Sequence, residues 1–382
     1  MRVEAHAADL GGCGHYRLIW AAEALMAGGY DLDLVLPDTG KANIDCIVSL
    51  EATAAAGAPV LGGLRHPPSC DVLVLQRPMT AHLVDVIRFH RAAGVAVVVE
   101  VDDHFEAIDP ANVAWPTVQP RLNPHRNFHH LREACRIADL VVVSTPALAA
   151  HYGRHGRVVV IENHIPRAYL HVLPDQHDDL RLGWSGSVDT HPRDLQVTRG
   201  AVARVLRRHD LTFHLIGAGR VHFTDPDTGL DVETTDPRIV KNLSFYDGQR
   251  FAHTNGWLPL GAYSRAMAEL DIGIVPLALS AFNEAKSWLK GLEWAALGVP
   301  FVASPTGQYR DLVAQGAGRI AGRPRDWERE LDLLITNDDY RGELAQAGRR
   351  VAGRWIIEDH ADRWWNAWQT AAENYATRKV PA

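Results

Sequence analysis

Short runs dense in branched aliphatic residues recur along this chain, each followed by a stretch with helical spacing. The clearest is Val95–Val101, which is aliphatic almost throughout and shows no polar alternation. Strands of that kind are buried on both faces, which is the situation of a parallel sheet covered by helices. In the first half the pattern predicts strands at Leu32–Leu36, Asp71–Leu75, Val95–Val101, Leu140–Ser144 and Val158–Ile161, after a short strand near Val3–Ala5. Helices are predicted at Tyr16–Ala27, Thr80–Ala93, Asn127–Ile137 and Pro146–Tyr152. A second series of strands follows at Leu180–Trp184, Leu211–Ile216, Ile272–Val275 and Phe301–Ala303. Alternation of this sort dictates an α/β fold. The polar stretch 173–179 has linker composition and divides the chain into domains at 1–172 and 180–352, with a tail at 353–382. A length of 382 residues suffices for two cores. Residues 220–255, rich in Asp, Thr and Gly, read as an irregular insertion.

Composition narrows the function classes. With 47% hydrophobic and 22% charged residues the chain looks like an ordinary globular enzyme. A net charge of −7 gives no electrostatic reason for a nucleic-acid partner. Cys13, Cys46, Cys70 and Cys135 show no C-x-x-C spacing, which fits reduced thiols better than a disulfide framework or zinc site. No leader-like start is visible and no apolar run approaches ~18 residues, so the expectation is a soluble, cytoplasmic protein. The tail from Trp355 to Trp368 is amphipathic and aromatic. Its polar face carries Glu358, Asp359 and Asp362 rather than cations, so it should pack on the body and not on a membrane.

The stretch 282–304 carries the strongest chemical signal. Read as a helix starting near Asn283, it puts Lys286, Lys290 and Glu293 on one face. The helix stops at Gly298-Val299-Pro300 and gives way to the strand Phe301–Ala303. Two cations near a helix N-terminus suit a diphosphate, and a carboxylate two turns deeper suits a ribose diol. A salt-bridged surface helix is the alternative. Gly186-Ser187, after the strand that opens the second series, supplies backbone amides of the kind that cradle phosphate; a plain strand-exit turn is the rival reading. The run Gly11-Gly12-Cys13-Gly14 precedes a helix, but Tyr16 breaks a G-x-G-x-x-G fingerprint, which disfavours dinucleotide binding. Asp102-Asp103-His104 closes a buried strand, at the edge where open parallel sheets place ligands. Neighbouring residues on a strand point to opposite faces, so these three do not form a metal cluster without a bend. Gln76-Arg77, at another strand end, adds a cation to that edge, while the histidines at 125, 129 and 130 lack a supporting carboxylate pattern.

Glu293 followed by WAALGVPFVAS resembles the donor helix of GT-B glycosyltransferases, especially the retaining family 4 type with its "G-x-P-v-v-a-s" strand. Glu293 matches the second glutamate of that family's pair, the one that holds the donor ribose. The first should stand at 285, which is Ala285 here; Glu284 lies one place off and points roughly 100° away on a helix. The F-N-x-x-K-S-x-x-K-x-x-E form therefore looks like a divergent branch in which Lys286 does phosphate work. The resemblance extends to Arg181–Ser187 and Asp189, His191 and Asp194, to Gly217 after Phe213–Ile216, and to Asn255–Pro259.

The resemblance implies two Rossmann-like domains facing across a cleft, the first on the acceptor side, the second binding the donor. It implies that the tail helix returns to the first domain. It implies donor contacts from Gly186, Ser187, His191, Gly217, Trp257, Lys286, Lys290 and Glu293, with Gly12 and Gly14 facing the same cleft. Asp194 is expected to cap the helix that follows it, and Trp257 either stacks on the base or fills the core. Lys286, Asp103 and His104 are the expected catalytic groups. No metal and no tightly bound cofactor are expected; the donor would be a UDP- or GDP-sugar and the acceptor a glycan, lipid, protein or modified nucleic acid. Retention comes with the resemblance alone. A GT-B-fold nucleotide-sugar epimerase and a non-catalytic nucleotide-sugar binder are the alternatives.

Overall fold

A computed structural model describes residues 1–37, 48–52, 59–64, 67–118, 128–173, 177–198, 200–217, 221–224, 231–234, 251–255 and 258–379. Within these, only the backbone is described for 48–52, 59–64, 117, 221–224, 231–234, 251, 253–255 and 379. The chain divides into two compact units. One comprises Met1–Glu106, Pro116–His164 and Ile357–Ala382; the other comprises Ala107–Trp115 and Ile165–Ile356.

The first unit is built on a wholly parallel sheet of six strands, in the order Leu32–Val35, Val3–His6, Val72–Gln76, Ala96–Val101, Leu140–Val143, Val158–Val160. The residues of the three strands that follow Val3–His6 across the sheet, through Leu140–Val143, are buried along their length. That burial explains why their sequences show no alternation. Each strand predicted in this half is present, with ends shifted by a residue or so. The helix after the glycine run is continuous from Gly12 to Ala27, with a π-helical turn at His15–Ile19. Helices Ala81–Ala92 and Pro146–Tyr152 start at Thr80 and Thr145, whose hydroxyls accept from the amides of Leu83 and Leu148 at 3.3 and 3.2 Å. An antiparallel pair, Val48–Ala52 with Pro59–Leu64, was not foreseen.

The tail completes the first core. After a parallel bridge between Ile165 and Ile356, it forms the helices Ile357–His360 and Asp362–Lys379. Trp364 and Trp368 are fully buried against Val74, Val98, Val142, Ala22 and Leu25. The Trp364 indole donates to the Arg17 carbonyl at 2.9 Å. The side chain of Arg17 is itself buried, donating through Nε to Glu100 at 2.7 Å and through Nη1 to the Ile161 carbonyl and Asn163 at 2.7 and 2.6 Å.

The second unit has its own six-stranded parallel sheet, ordered Phe251–Asn255, Phe213–Gly217, Leu182–Ser185, Ile272–Val275, Phe301–Ala303, Arg319–Ile320. Chain order reverses between Leu182–Ser185 and Ile272–Val275, the kind of switch point beyond whose carboxyl ends open parallel sheets place ligands. The expectation of an irregular 220–255 is corrected for 221–224, 231–234 and 251–255, which are strands; the rest of that stretch lies outside the described residues. Val221–Thr224 pairs antiparallel with Asp231–Thr234, and Phe251–Asn255 is an edge strand of the main sheet. Polar alternation masked that strand, since an edge needs no continuous aliphatic run.

Candidate functional site

Those predicted donor residues of the second unit that are described gather at that topological switch point, but not on the single helix the spacing suggested. The segment breaks in two. A short helix, Ala281–Glu284, is capped by Ser280, whose hydroxyl accepts from the Asn283 amide at 3.1 Å. The main helix begins only at Leu289 and ends at Leu297, where Gly298 takes the left-handed conformation at φ 74°. Lys290 and Glu293 therefore share a helix, while Lys286 sits on the link before its N-terminus. The break follows from a buried network. Asn283 donates to Asp194 and to the Ala278 carbonyl, both at 2.8 Å, and the Gly307 amide donates to Glu284 at 3.1 Å. Glu284, the shifted glutamate, thus braces the neighbouring loop.

Lys290 is set deep in the unit. Its ammonium donates to the Ser185 carbonyl and lies 4.7 Å from the centre of the Trp184 ring. A Cβ on Gly186 would lie 2.6 Å from that nitrogen, so the absent side chain is what admits the cation. Gly186 has φ 140° and Gly217 has φ 114°, and a Cβ on Gly217 would collide with the Gly186 carbonyl. The two strand ends thus touch backbone to backbone. Burial pulls the Lys290 pKa down to about 8, with Lys286 adding repulsion while Glu293 and Asp194 resist. Lys286 holds its own ammonium 4.4 Å from the centre of the Phe282 ring.

Two expectations for this site are corrected. The Gly186 amide is not open for phosphate, because it donates to the Ile216 carbonyl at 2.9 Å. Asp194 does not cap a helix with its side chain: it accepts from the Ala278 amide and from Asn283, and its other oxygen meets His191 Nδ1 at 2.6 Å. Burial works to raise the Asp194 pKa, but His191, the Ala278 amide and Asn283 together hold it below the usual value. Burial outweighs Asp194 at His191 and depresses that imidazole, with both lysines contributing. The Ser187 hydroxyl donates to Asp189.

Glu293 is buried and faces two tyrosines that sequence reasoning missed, Tyr263 and Tyr309. Burial pushes both hydroxyls far up, and the charge of Glu293 adds to that. The Tyr309 hydroxyl lies against the backbone amides of Gly291 and Lys290, so a tyrosine takes up part of the helix N-terminus. Nothing local signals this, because Tyr309 arrives from beyond the next strand. Trp257 lies outside the described residues.

The remaining candidates are in the first unit. Gly12 and Gly14 open the helix at the end of Val3–His6, where Asp9 accepts from the amides of Gly11 and Gly14 at 2.7 and 3.2 Å. Arg77, at φ 50°, pairs with the same carboxylate. Asp103 and His104 follow the strand Ala96–Val101. The Asp103 carbonyl accepts from Tyr152 at 3.2 Å, and the His104 ring packs against His151, 4.0 Å between centres and tilted by 34°. Burial, then His151, lowers the His104 pKa. Among the described residues no group of three or more His, Cys, Asp or Glu could hold a metal ion, and no helix is long and apolar enough to cross a membrane.

Comparison with known proteins gives no matching family profile and no matching curated protein. Solved structures do match. Sucrose-phosphate synthase from Thermosynechococcus elongatus superposes with a TM-score of 0.60 at 16% identity, covering 96% of this chain and 98% of that one. The catalytic domain of starch synthase IV from Arabidopsis thaliana, bound to ADP and acarbose, gives 0.59 at 12% identity, covering 97% and 99%. Anabaena HepE in complex with UDP and glucose gives 0.55 at 14% identity, covering 78% and 77%. These neighbours are GT-B glycosyltransferases. The two parallel α/β sheets described above are, accordingly, those of the GT-B fold.

Proposed function

We propose that this chain is a glycosyltransferase that moves a sugar from a nucleotide-sugar donor to an acceptor. The observation that carries the reading is the gathering of Lys286, Lys290 and buried Glu293 around the switch point of the second sheet, beside Gly186 and Gly217. Negative charge grows on the diphosphate as the glycosidic bond breaks, and preorganised cations in a partly desolvated pocket stabilise that charge. Lys286 takes the leaving phosphate; Lys290 and His191 support it from below. Glu293 grips the ribose, and Ser187 and the two glycines border the phosphates. In the first unit Asp103 and His104 address the sugar or the acceptor hydroxyl, with Gly12 and Gly14 along the same edge. The donor is a UDP- or GDP-sugar. Neighbours crystallised with UDP and glucose or with ADP support that class. Transfer proceeds with retention and without a required metal, in the cytoplasm.

A panel of nucleotide sugars screened by thermal shift tests donor binding directly, because a ligand of the native state raises its melting temperature. Lys286→Ala should cut turnover more than donor affinity. Glu293→Ala should weaken donor binding by about 1–3 kcal/mol. Full transfer activity in both variants would refute the assignment. One observation favours a non-catalytic nucleotide-sugar binder instead. Ala285 stands where a sugar-contacting glutamate would be, and Glu284 is engaged with Gly307. Stable donor binding with no transfer and no hydrolysis would establish that second reading.

A further inference from the structure

The edge of the first sheet where its strands begin, opposite the Asp103 end, is crowded with arginine. Arg91, Arg157 and Arg378 converge there around one carboxylate, that of fully buried Asp139. Asp139 accepts from Arg91 Nε at 3.1 Å, from Arg378 at 3.2 Å and from the Val97 amide at 3.0 Å. Arg157 pairs with no carboxylate among the described residues. It donates to the carbonyls of Ala138, His155 and Arg136 at 3.2, 3.1 and 2.8 Å. Alongside, Arg88 and Arg136 share Glu133, and Asp85 balances that set. The carbonyl ends of the helices Ala81–Ala92 and Phe128–Ile137 lend about half a negative charge each, confined to their last turn. A surplus of guanidinium remains, on a chain whose overall charge is −7.

Two of these guanidiniums, Arg91 and Arg378, which share the single carboxylate of Asp139, line an open cavity of about 450 Å³ together with Arg88 and Tyr375. Tyr375 lies under Arg91, 5.9 Å from ring centre to guanidinium, and its hydroxyl donates to the Arg91 carbonyl at 2.7 Å. A simple staple for the tail helix would need one cation for Asp139. Crowding three guanidiniums around it costs free energy through their mutual repulsion, which an anionic ligand offsets. Burial, and then Arg378, lowers the Arg157 pKa, as expected of a cation short of counter-charge.

We propose that this cavity binds a phosphoryl group, phosphate or diphosphate, between Arg91 and Arg378, whose two guanidiniums share one carboxylate, with Arg88 also lining it. Arginine matches phosphate geometry with paired donors. The proposal does not depend on the activity suggested above, since this cavity belongs to the first unit and Lys286, Lys290 and Glu293 to the second. Arg378 and Tyr375 belong to the tail helix and Arg91 to a helix on the sheet. A bound phosphoryl group therefore ties the end of the tail to the rest of the first unit.

The test is amide hydrogen exchange on the full chain with inorganic pyrophosphate, and separately with vesicles of equimolar phosphatidylcholine and phosphatidic acid. Pyrophosphate should slow exchange across 88–92 and 370–379, and Arg88→Gln with Arg378→Gln should weaken that effect roughly tenfold or more. Lys286→Ala, a donor-site change, should leave it intact, which separates failure here from failure of the proposed activity. Protection by vesicles but not by pyrophosphate assigns the phosphoryl group to a lipid headgroup. No protection by either probe, or equal protection in the double variant, overturns the proposal.

Discussion

Lys290 shows how one residue can be legible in kind but not in setting. A lysine ahead of a glutamate on a helix is visible in the sequence; its seat under Trp184 and against the Ser185 carbonyl is not. The depressed pKa has a consequence with a definite sign. Above about pH 8 the folded chain sheds this proton while the unfolded chain keeps it up to about 10.5, so on this account stability rises between those values and is lost as pH falls back. On the proposed function, donor binding should run the other way, weakening as pH climbs through about 8 because the diphosphate would then meet a neutral amine. Calorimetric titration across pH 7 to 9 should show that slope in the parent and not in Lys290→Arg, whose charge persists throughout. Gly217 offers a second residue-scale test. Its positive φ and the contact with the Gly186 carbonyl leave no place for a methyl group. Gly217→Ala should cost about 1–3 kcal/mol in urea unfolding. An unchanged midpoint would mean that the two strand ends are not in contact.

At the scale of elements, hydrophobic patterning located nearly every strand of the two sheets, because a parallel strand buried on both faces has no choice of composition. Patterning failed in two informative places. Phe251–Asn255 escaped because an edge strand tolerates polar residues. The continuous helix through 283–297 was wrong because helical spacing cannot reveal that Asn283 is held by Asp194, some ninety residues earlier in the chain. The tail helix belongs to this scale as well. Trp364 fills the first core and donates to the Arg17 carbonyl. Trp364→Ala should lower stability by about 3–5 kcal/mol, read from chemical denaturation, whereas Trp365→Ala on the half-buried face should cost much less.

For the whole molecule, the tail is the last stretch of chain but supplies part of the first core, together with residues at the very start. The second unit has a separate core around Trp184, Phe213 and Trp327. Deleting 357–382 should therefore abolish the cooperative unfolding of the first unit while the second still melts. Calorimetry of the truncated chain checks this; a single undiminished transition would show the tail to be dispensable. The sequence alone determined the α/β class, the strands buried on both faces and the stretch carrying two lysines and a glutamate. Local periodicity and composition suffice for those, since each depends on neighbours a few residues away. Only the tertiary structure decided that Lys286 stands off the helix, that Tyr263 and Tyr309 flank Glu293, and that Asp9 occupies the glycine loop. Such contacts join residues far apart in the chain, and no spacing rule encodes them.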